Sequence, residues 1–313
     1  MSKYIRILLV FSLLLTAIPC AVFVKNDKKQ TSSYIKKTGF SLPEKVQIMN
    51  ETDSSLSEIP LDDYLAGCVL AQMPCDFEEE ALKCQAIIAR TYVLYHRHHN
   101  KKLSENPQSY FTSEEAKGFY GKDYEKALKR ATNAVKETEG LVLTHKNSPI
   151  VTAYHPISSG YTESAKDIWG ADLPYLLSVE SPHDYDSPQG IQTIEMTEAE
   201  LFSRLFAFAE IDEDTDASLE IKKKTSHGTV LALEISSKDI KKEIAGKDFA
   251  EIYSLNSCNF IISFDNGMCE ITCHGGGHLV GLSQWGANQM ALSGKTCEEI
   301  LSHYFCGVSL LKL

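Results

Sequence analysis

The sequence predicts an α+β fold, and two observations lead to that prediction. Apolar residues recur at helical spacing from Leu61 to Met73 and again from Asp76 to about His99, with Pro74 between the two runs. Beyond this helical hairpin, short strand-like runs and helices follow one another without the regular alternation of a βαβ protein. The chain also shows no internal repeat.

The individual elements follow from local signals. Asp76 and Glu79 form a capping-box-like start for the second helix. Gly140 ends a later helix, and a His-Gly turn at 227–228 separates two strands. The further predicted elements are helices from Tyr124 to Glu139, Glu198 to Ala209, Leu282 to Leu292 and Cys297 to Tyr304, and strands from Val46 to Met49, Leu141 to Thr144, Ile150 to His155, Leu219 to Lys223, Val230 to Ile235 and around Phe260 and Met268.

The N-terminus predicts a membrane anchor. Lys3 and Arg6 precede an apolar run from Ile7 to Val24 that is long enough to span a bilayer. No small-x-small cleavage pattern closes the run, which favours an uncleaved signal-anchor at residues 1–24 over a removed signal peptide, the alternative that stays open. Residues 25–45, rich in Lys, Ser and Thr, are expected to form a flexible stalk. One extracytoplasmic domain is then expected over residues 46–313.

Charge and cysteine content restrict the class of protein. The formal net charge is −11, and the part beyond residue 24 has 29 Lys and Arg against 42 Asp and Glu. Such a surface repels a polyanion, so a nucleic-acid partner is excluded. Nine cysteines are present, and several lie at apolar helix positions, where buried free thiols pack well. This favours free thiols over a full disulfide framework, although an exported domain permits disulfides.

Three segments carry a recognisable pattern. They are Leu61 to Tyr95, with Gln-Met-Pro followed by Glu-Ala-Leu-Lys-x-Gln-Ala and Ala-Arg-Thr-Tyr, then Tyr154 to Asp184, and finally Gly275 to Leu301. In this order the segments resemble the stage II sporulation protein D family of peptidoglycan lytic transglycosylases. The resemblance spans most of the chain beyond the predicted stalk. It implies that family's α+β domain and a peptidoglycan substrate.

The resemblance also implies a mechanism. Enzymes of this family cleave the bond between N-acetylmuramic acid and N-acetylglucosamine, with one glutamate protonating the leaving oxygen while the sugar's 6-hydroxyl closes an anhydro ring. Because the nucleophile is part of the substrate, the protein has to hold the strand and deliver a proton. The family's glutamate corresponds to Gln72 here, and an amide cannot transfer that proton. Glu163 in the second segment is the candidate for a substitute acid.

Other matched positions are expected to contact glycan. Lys83 and Arg90 lie seven residues apart and therefore on one helix face. For Lys83, sugar contact and ion pairing with Glu79 or Glu80 stay open, whereas the family context favours sugar contact for Arg90. The remaining candidates are His155, His278, Ser283 and Gln284. For the two histidines a structural role is the alternative, and for Ser283 and Gln284 it is helix capping.

No cofactor or metal is expected. Cys269, Cys273, His274 and His278 are ligand types, but their spacing fits no zinc signature, and alternation along a strand sends His274 to the opposite face. Some clostridial relatives bind zinc just after the long helix. The corresponding stretch from Asn106 to Thr112 contains neither Cys nor His.

The resulting functional hypothesis is a sporulation protein of the mother-cell membrane that binds peptidoglycan glycan strands during engulfment with weak or lost cleavage. The resemblance implies the stage II sporulation proteins P and M as partners. One alternative is an active transglycosylase with a relocated acid. Another is a vegetative modifier of a cell-wall amidase, from a related branch of the family.

Overall fold

The computed structural model describes residues 39–49, 55–105, 108–185, 187–212, 216–238 and 240–313. Two compact units are present in these ranges. The inserted unit is Tyr154–Gly286, and the outer unit consists of residues 39–153 and Ala287–Leu313. The sequence shows no sign of this division, and it predicts one domain over residues 46–313. The mixture of helices and small sheets confirms the predicted α+β fold.

The predicted anchor at residues 1–24 and most of the predicted stalk lie outside the described residues. Among the helices that the structure does describe, none combines the length and apolar character needed to cross a bilayer.

The outer unit begins with a strand pair and continues as a helical layer. Its elements up to residue 153 are β1 (Lys45–Met49), β2 (Leu56–Pro60), α1 (Leu61–Gln72), α2 (Glu79–His98), α3 (Ser113–Tyr120), α4 (Tyr124–Glu137), β3 (Leu141–His145) and β4 (Ser148–Pro149). Helix α2 is the central element and packs against α1, α4 and β3. The predicted hairpin of α1 and α2 is confirmed.

The start of α2 differs from the prediction. The Phe77 amide donates to the Pro74 carbonyl at 3.0 Å, so residues 74–77 form a tight turn and cannot begin a helix. Helix α2 begins at Glu79, and the amide of Glu78 donates to Asn288 Oδ1 at 2.7 Å. The predicted capping box with Asp76 is therefore wrong, because a residue distant in sequence satisfies this helix terminus.

The inserted unit contains two antiparallel three-stranded sheets and one short parallel pair. Its elements are β5 (Tyr154–His155), α5 (Ala165–Trp169), α6 (Pro182–Tyr185), β6 (Ile191–Thr197), α7 (Glu198–Ala209), β7 (Ser218–Lys224), β8 (Val230–Ser237), β9 (Ile240–Ala245), α8 (Gly246–Ile252), β10 (Phe260–Asp265), β11 (Met268–His274) and β12 (Leu282–Ser283). The sheets have the orders β7-β8-β9 and β10-β11-β6, and β5 pairs with β12 in parallel. Buried residues of both sheets and of α7 and α8 form one core, which includes Leu205, Leu233, Phe249, Phe260 and Ile271.

The C-terminal residues complete the outer unit. Helix α9 (Gln284–Leu292) begins in the inserted unit and continues into the outer one, and α10 (Cys297–Tyr304) and β13 (Ser309–Lys312) follow. Strand β13 pairs with β3 along the register Leu310 to Leu143. Glu80 on α2 accepts the Cys297 amide at 2.7 Å, at the first turn of α10. Both ends of the described chain thus build one unit.

Candidate functional site

Gln72 is the last residue of α1. Residues 108–111 form a segment that packs against α1, which we call the strap. The strap is fixed to α1 by two backbone donors, since the Gln108 amide donates to the Tyr64 hydroxyl at 3.2 Å and the Phe111 amide to the Gly67 carbonyl at 3.1 Å. A Cβ on Gly67 would lie 2.6 Å from the Phe111 oxygen, so this close approach requires glycine. The strap places the carbonyl of Ser109 against the Gln72 amide.

The Gln72 side chain is buried, with 1% of its surface exposed. Its Nε2 donates to the Ser109 carbonyl at 2.5 Å, and its Oε1 accepts from Gln85 Nε2 at 3.1 Å. Sequence reasoning did not identify Ser109 or Gln85 as neighbours of this position. The Gln-Ala pair that follows Glu-Ala-Leu-Lys-x in the first segment was the available signal for Gln85. This geometry holds the amide in place and offers no proton for transfer.

Lys83 has the ion-pairing role left open above. Its ammonium lies 2.7 Å from Glu137 at the end of α4 and 2.8 Å from Glu80 on its own helix. Hydrogen bonds to Glu137 and then to Glu80 hold the pKa of Lys83 above its ordinary value. The Lys83 side chain as a whole is 19% exposed. The ion pair of Lys83 with Glu137 links α2 to α4. A glycan contact by Lys83 stays a prediction.

Arg90 is directed into the fold. Its Nη1 donates to the Thr138 carbonyl at 2.8 Å and the Leu141 carbonyl at 3.3 Å, and its Nη2 donates to the Val135 carbonyl at 2.9 Å. These carbonyls belong to the C-terminal end of α4 and to the residues that follow, where helical acceptors lack partners. Arg90 as a whole residue is 1% exposed. Arg90 therefore caps α4, a geometry that does not favour the predicted sugar contact.

The second and third segments lie side by side in the inserted unit. Parallel pairing joins Tyr154 to Leu282 and His155 to Ser283, and the amide of Gly276 donates to the Ile157 carbonyl at 2.8 Å. Gly277 has a φ of +82°, and a Cβ there would lie 3.2 Å from the His155 Cβ. The glycines of the third segment therefore serve tight packing against the second.

This pairing brings His155, His278 and Trp169 together. The ring centroids of His155 and His278 are 6.1 Å apart, and Trp169 meets His278 edge-on at 5.0 Å. The Val280 amide donates to His278 Nδ1 at 3.0 Å, and His155 Nδ1 donates to the Val280 carbonyl at 3.2 Å. These contacts leave the proton of His278 on Nε2 and the lone pair of His155 on Nε2. His155 Nε2 is buried without a hydrogen-bond partner among the described residues.

His155 is neutral over the ordinary pH range. Burial, reinforced by the neighbouring His278, lowers the pKa of His155 to about 3. In the unfolded chain a histidine has a pKa near ~6.5. Between these two values the unfolded state binds a proton that the folded state does not, so stability is complete above pH ~6.5 and declines as the pH falls.

We expect the free energy of unfolding of the natural protein to decrease by about 2 kcal/mol between pH 7 and pH 5 because of His155 alone. Urea titrations at both pH values measure this, and His155→Gln should remove that part of the decrease. His183→Gln is the matched control, since His183 is exposed. An unchanged pH dependence in His155→Gln would show that His155 is not the group that titrates.

Ser283 caps α9, as the capping alternative anticipated. Its Oγ accepts from the Gly286 amide at 3.1 Å, and both Ser283 and Gln284 are buried. Sequence reasoning missed Asp184 at the end of the second segment, whose Oδ2 accepts from the Ser158 amide at 2.9 Å and the Ser181 hydroxyl at 3.0 Å. Burial raises the pKa of Asp184, and hydrogen bonds from Ser283 and Ser158 offset part of that rise. Asp184 thereby ties the two segments together.

Glu163 has the geometry of a sequestered carboxyl group. It is 1% exposed, and its Oε1 accepts from the Thr225 hydroxyl at 2.6 Å. Its backbone amide donates to the Leu279 carbonyl at 2.7 Å, which fixes it beside the third segment. Oε2 has no hydrogen-bond partner within the part of the chain that the structure describes. Whether Glu163 acts as an acid stays a prediction.

The ligand-type residues Cys269, Cys273, His274 and His278 are not arranged as a metal site. Cys269 and Cys273 are both buried in the core of the inserted unit. Burial raises the pKa of Cys269 to about 11, which keeps its thiol protonated at neutral pH. Among the described residues, no group of three or more His, Cys, Asp or Glu side chains is arranged to hold a metal ion.

Comparison with known proteins gives consistent similarities. Residues 50–145 match the family model SpoIID, described as stage II sporulation protein. Stage II sporulation protein D of Bacillus amyloliquefaciens is 35% identical over 278 residues, which cover 86% of this chain and 79% of that protein. The protein of the same name from Bacillus subtilis (strain 168) is 35% identical over 279 residues, with the same coverage.

A more distant similarity links the chain to another protein of Bacillus subtilis (strain 168). The amidase enhancer of that organism is 23% identical over 296 residues, which cover 79% of this chain and 40% of that protein. The similarity to the two sporulation proteins extends over most of both chains. The chain belongs to the stage II sporulation protein D family.

Proposed function

We propose that this protein is a sporulation protein that binds peptidoglycan glycan strands during engulfment and cleaves them slowly or not at all. The observation that carries the proposal is that Gln72, at the position where the family's glutamate is expected, is buried with its amide bound to Ser109 and Gln85. Losing general acid catalysis alone lowers a rate by roughly 10²–10⁴-fold. Holding a strand requires no proton transfer, so the proposed binding does not depend on an acid at this position.

Location and partners are part of the same proposal. Residues 7–24 anchor the chain as a single span in the mother-cell membrane, with the folded units on the extracytoplasmic side. The stage II sporulation proteins P and M are the partners implied by the family. A glycan-binding subunit without its own cleavage would hold the strand for a separate hydrolase, because tethering raises the effective concentration of the substrate.

In the inserted unit, Trp169 and His278 are the proposed sugar platform. Both are partly exposed and their rings are in contact, whereas His155 is buried behind them. Aromatic rings in such positions provide apolar faces for sugar rings at little cost in conformational entropy.

We expect Trp169→Ala to weaken binding to purified glycan strands by about ten-fold, since removing an aromatic anchor costs more than ~1 kcal/mol. Co-sedimentation with glycan strands, with the chain lacking residues 1–29, measures the affinity. Phe208→Ala is the matched control, because Phe208 is an exposed aromatic of the same unit outside all three segments. Equal weakening in both variants, or none in Trp169→Ala, would remove Trp169 from the proposed platform.

A second candidate function is an active transglycosylase that uses Glu163 as its acid. The observation in its favour is the buried Oε2 without a hydrogen-bond partner in the described chain, since an acid sequestered from water is a frequent feature of glycosidase sites. This candidate predicts cleavage by the natural protein that is lost in Glu163→Gln. The first proposal predicts little cleavage by either.

A further inference from the structure

The C-terminal end of α2 carries a cluster of basic residues. This cluster, which we call the basic end, consists of five exposed residues: Arg97, His98, His99, Lys101 and Lys102. Cations near a helix C-terminus also stabilise the helix dipole, which is the simplest explanation for some of them. That effect fades beyond the last turn, and Lys101 and Lys102 lie past the helix end at His98.

Local contacts of the basic end are mainly aromatic or cationic. Lys101 lies 5.4 Å from the centroid of the Tyr95 ring, and Tyr95 and His99 have ring centroids 4.2 Å apart. Burial lowers the pKa of His96, and the basic residues Lys101 and His99 beside it lower it further. Lys102 pairs with exposed Glu105 at 3.1 Å, a contact of little energetic weight at a surface.

The described chain begins beside this cluster. The ring of Phe40 meets His98 edge-on at 5.0 Å, and Arg97 Nη2 donates to the Ser41 hydroxyl at 3.4 Å. The apolar run that predicts the anchor ends at Val24, so 15 residues separate it from Phe40. Such a connection cannot exceed about 55 Å when fully extended. It contains five lysines and one aspartate, which continue the positive charge toward the anchor.

We propose that the basic end of α2 docks on the anionic phospholipid headgroups of the membrane in which the chain is anchored. The chain as a whole has a net charge of −11, so an anionic bilayer repels most of its surface. The basic end is attracted to the same bilayer because its charge is positive. Each Lys or Arg near such a surface contributes about five-fold in affinity. Tyr95, half-buried beside the cluster, adds an aromatic ring of the kind that favours the headgroup region.

The proposal rests on the anchor and not on glycan binding. Several kinds of polyanion could bind a basic cluster. The connection between the anchor and Phe40 keeps the basic end close to the bilayer, which raises the effective concentration of anionic headgroups around it. Docking would orient the outer unit against the membrane.

The test uses the full chain reconstituted in vesicles of phosphatidylcholine alone or mixed with phosphatidylglycerol. Amide hydrogen exchange over residues 93–105 is compared between the two compositions. We expect exchange to be about ten-fold slower in the anionic vesicles, and the difference to disappear in 1 M salt. The triple variant Arg97→Gln, Lys101→Gln, Lys102→Gln should also lose the difference.

The matched control replaces three lysines of the β7–β8–β9 sheet, Lys222→Gln, Lys223→Gln and Lys241→Gln, and should keep the difference. Equal exchange in both vesicle types, or a difference that survives the triple variant, overturns the proposal. A chain that fails to stay with phosphatidylcholine vesicles overturns it as well, because the anchor is then absent. Glycan-strand binding by the triple variant should equal that of the natural protein, so failure of docking and failure of the proposed function are distinguishable.

Discussion

Gln72→Glu is expected to increase the rate of glycan cleavage by roughly 10²–10⁴-fold, the range that general acid catalysis contributes. The surroundings of residue 72 suit a protonated carboxyl group. One introduced oxygen would accept from Gln85, as Gln72 Oε1 now does, and the other would replace an Nε2 that lies 2.5 Å from the Ser109 carbonyl. Two acceptors at that distance require a proton between them.

That proton would reside on the introduced carboxyl group. Burial and the carbonyl both favour its neutral form, so its pKa is expected to lie above the ordinary range for glutamate. A general acid has to hold its proton near neutral pH, and the position provides this. Mass spectrometry of anhydro-muropeptides gives the rate.

Gln72→Asp is the matched control for this gain of activity. Its carboxyl group is one methylene shorter and should not reach the same place, so it should stay inactive while binding glycan. If Gln72→Glu binds strands as well as the natural protein and still forms no anhydro ends, residue 72 is not the acid position.

Arg90→Ala is expected to lower the free energy of unfolding of the outer unit by about 3–5 kcal/mol. The substitution removes a buried charged donor that bonds three backbone carbonyls at and beyond the end of α4, and hydrogen bonds from a charged group contribute more to stability than neutral ones. The loss is a large fraction of the stability of an ordinary domain. Urea unfolding followed by circular dichroism measures it.

Arg97→Ala provides the control on the same helix, because Arg97 is exposed and its change should stay within about 0.5 kcal/mol. Arg90→Lys should also destabilise, since an ammonium cannot reproduce the planar fork. A stable Arg90→Ala protein that no longer binds glycan would instead support the sugar contact predicted from the sequence.

The helical hairpin could be predicted because its signals are local. The apolar spacing of α1 and α2 and the break at Pro74 depend on residues close in sequence, and α7 was predicted for the same reason. The capping box of α3, in which Thr112 and Glu115 bond reciprocally, had the same kind of signal and was overlooked.

Strands β6 and β9 were missed for a physical reason. In β9 the charged residues Lys241, Lys242 and Glu243 are all exposed on an edge strand of its sheet, so the sequence lacks the apolar alternation that marks a strand. In β6 the apolar residues Ile191 and Met196 lie on opposite faces of the strand, the first exposed and the second buried. The apolar alternation expected of a strand is therefore weakened there as well. Pairing with the distant strand β11 stabilises β6, whereas β9 is stabilised by hairpin pairing with β8.

The sequence predicts which residues are candidates for the site, but it does not predict what those residues contact. Helical spacing places Lys83 and Arg90 on one face, but it does not reveal what covers that face. In the structure the end of α4 covers Arg90, and Glu137 reaches Lys83. The Ser109 carbonyl at Gln72 and the Thr225 hydroxyl at Glu163 come from segments 37 and 62 residues away, beyond any local pattern.

The central claim is that the natural protein binds glycan strands without cleaving them. The most direct test examines the strands after the natural protein has bound them. The chain lacking residues 1–29 is incubated in excess over purified glycan strands, the bound strands are recovered, and their ends are identified by mass spectrometry. Bound strands recovered intact, without new anhydro ends, are the predicted result. Anhydro ends that accumulate with the natural protein and are lost in Glu163→Gln would contradict the claim and assign the acid to Glu163.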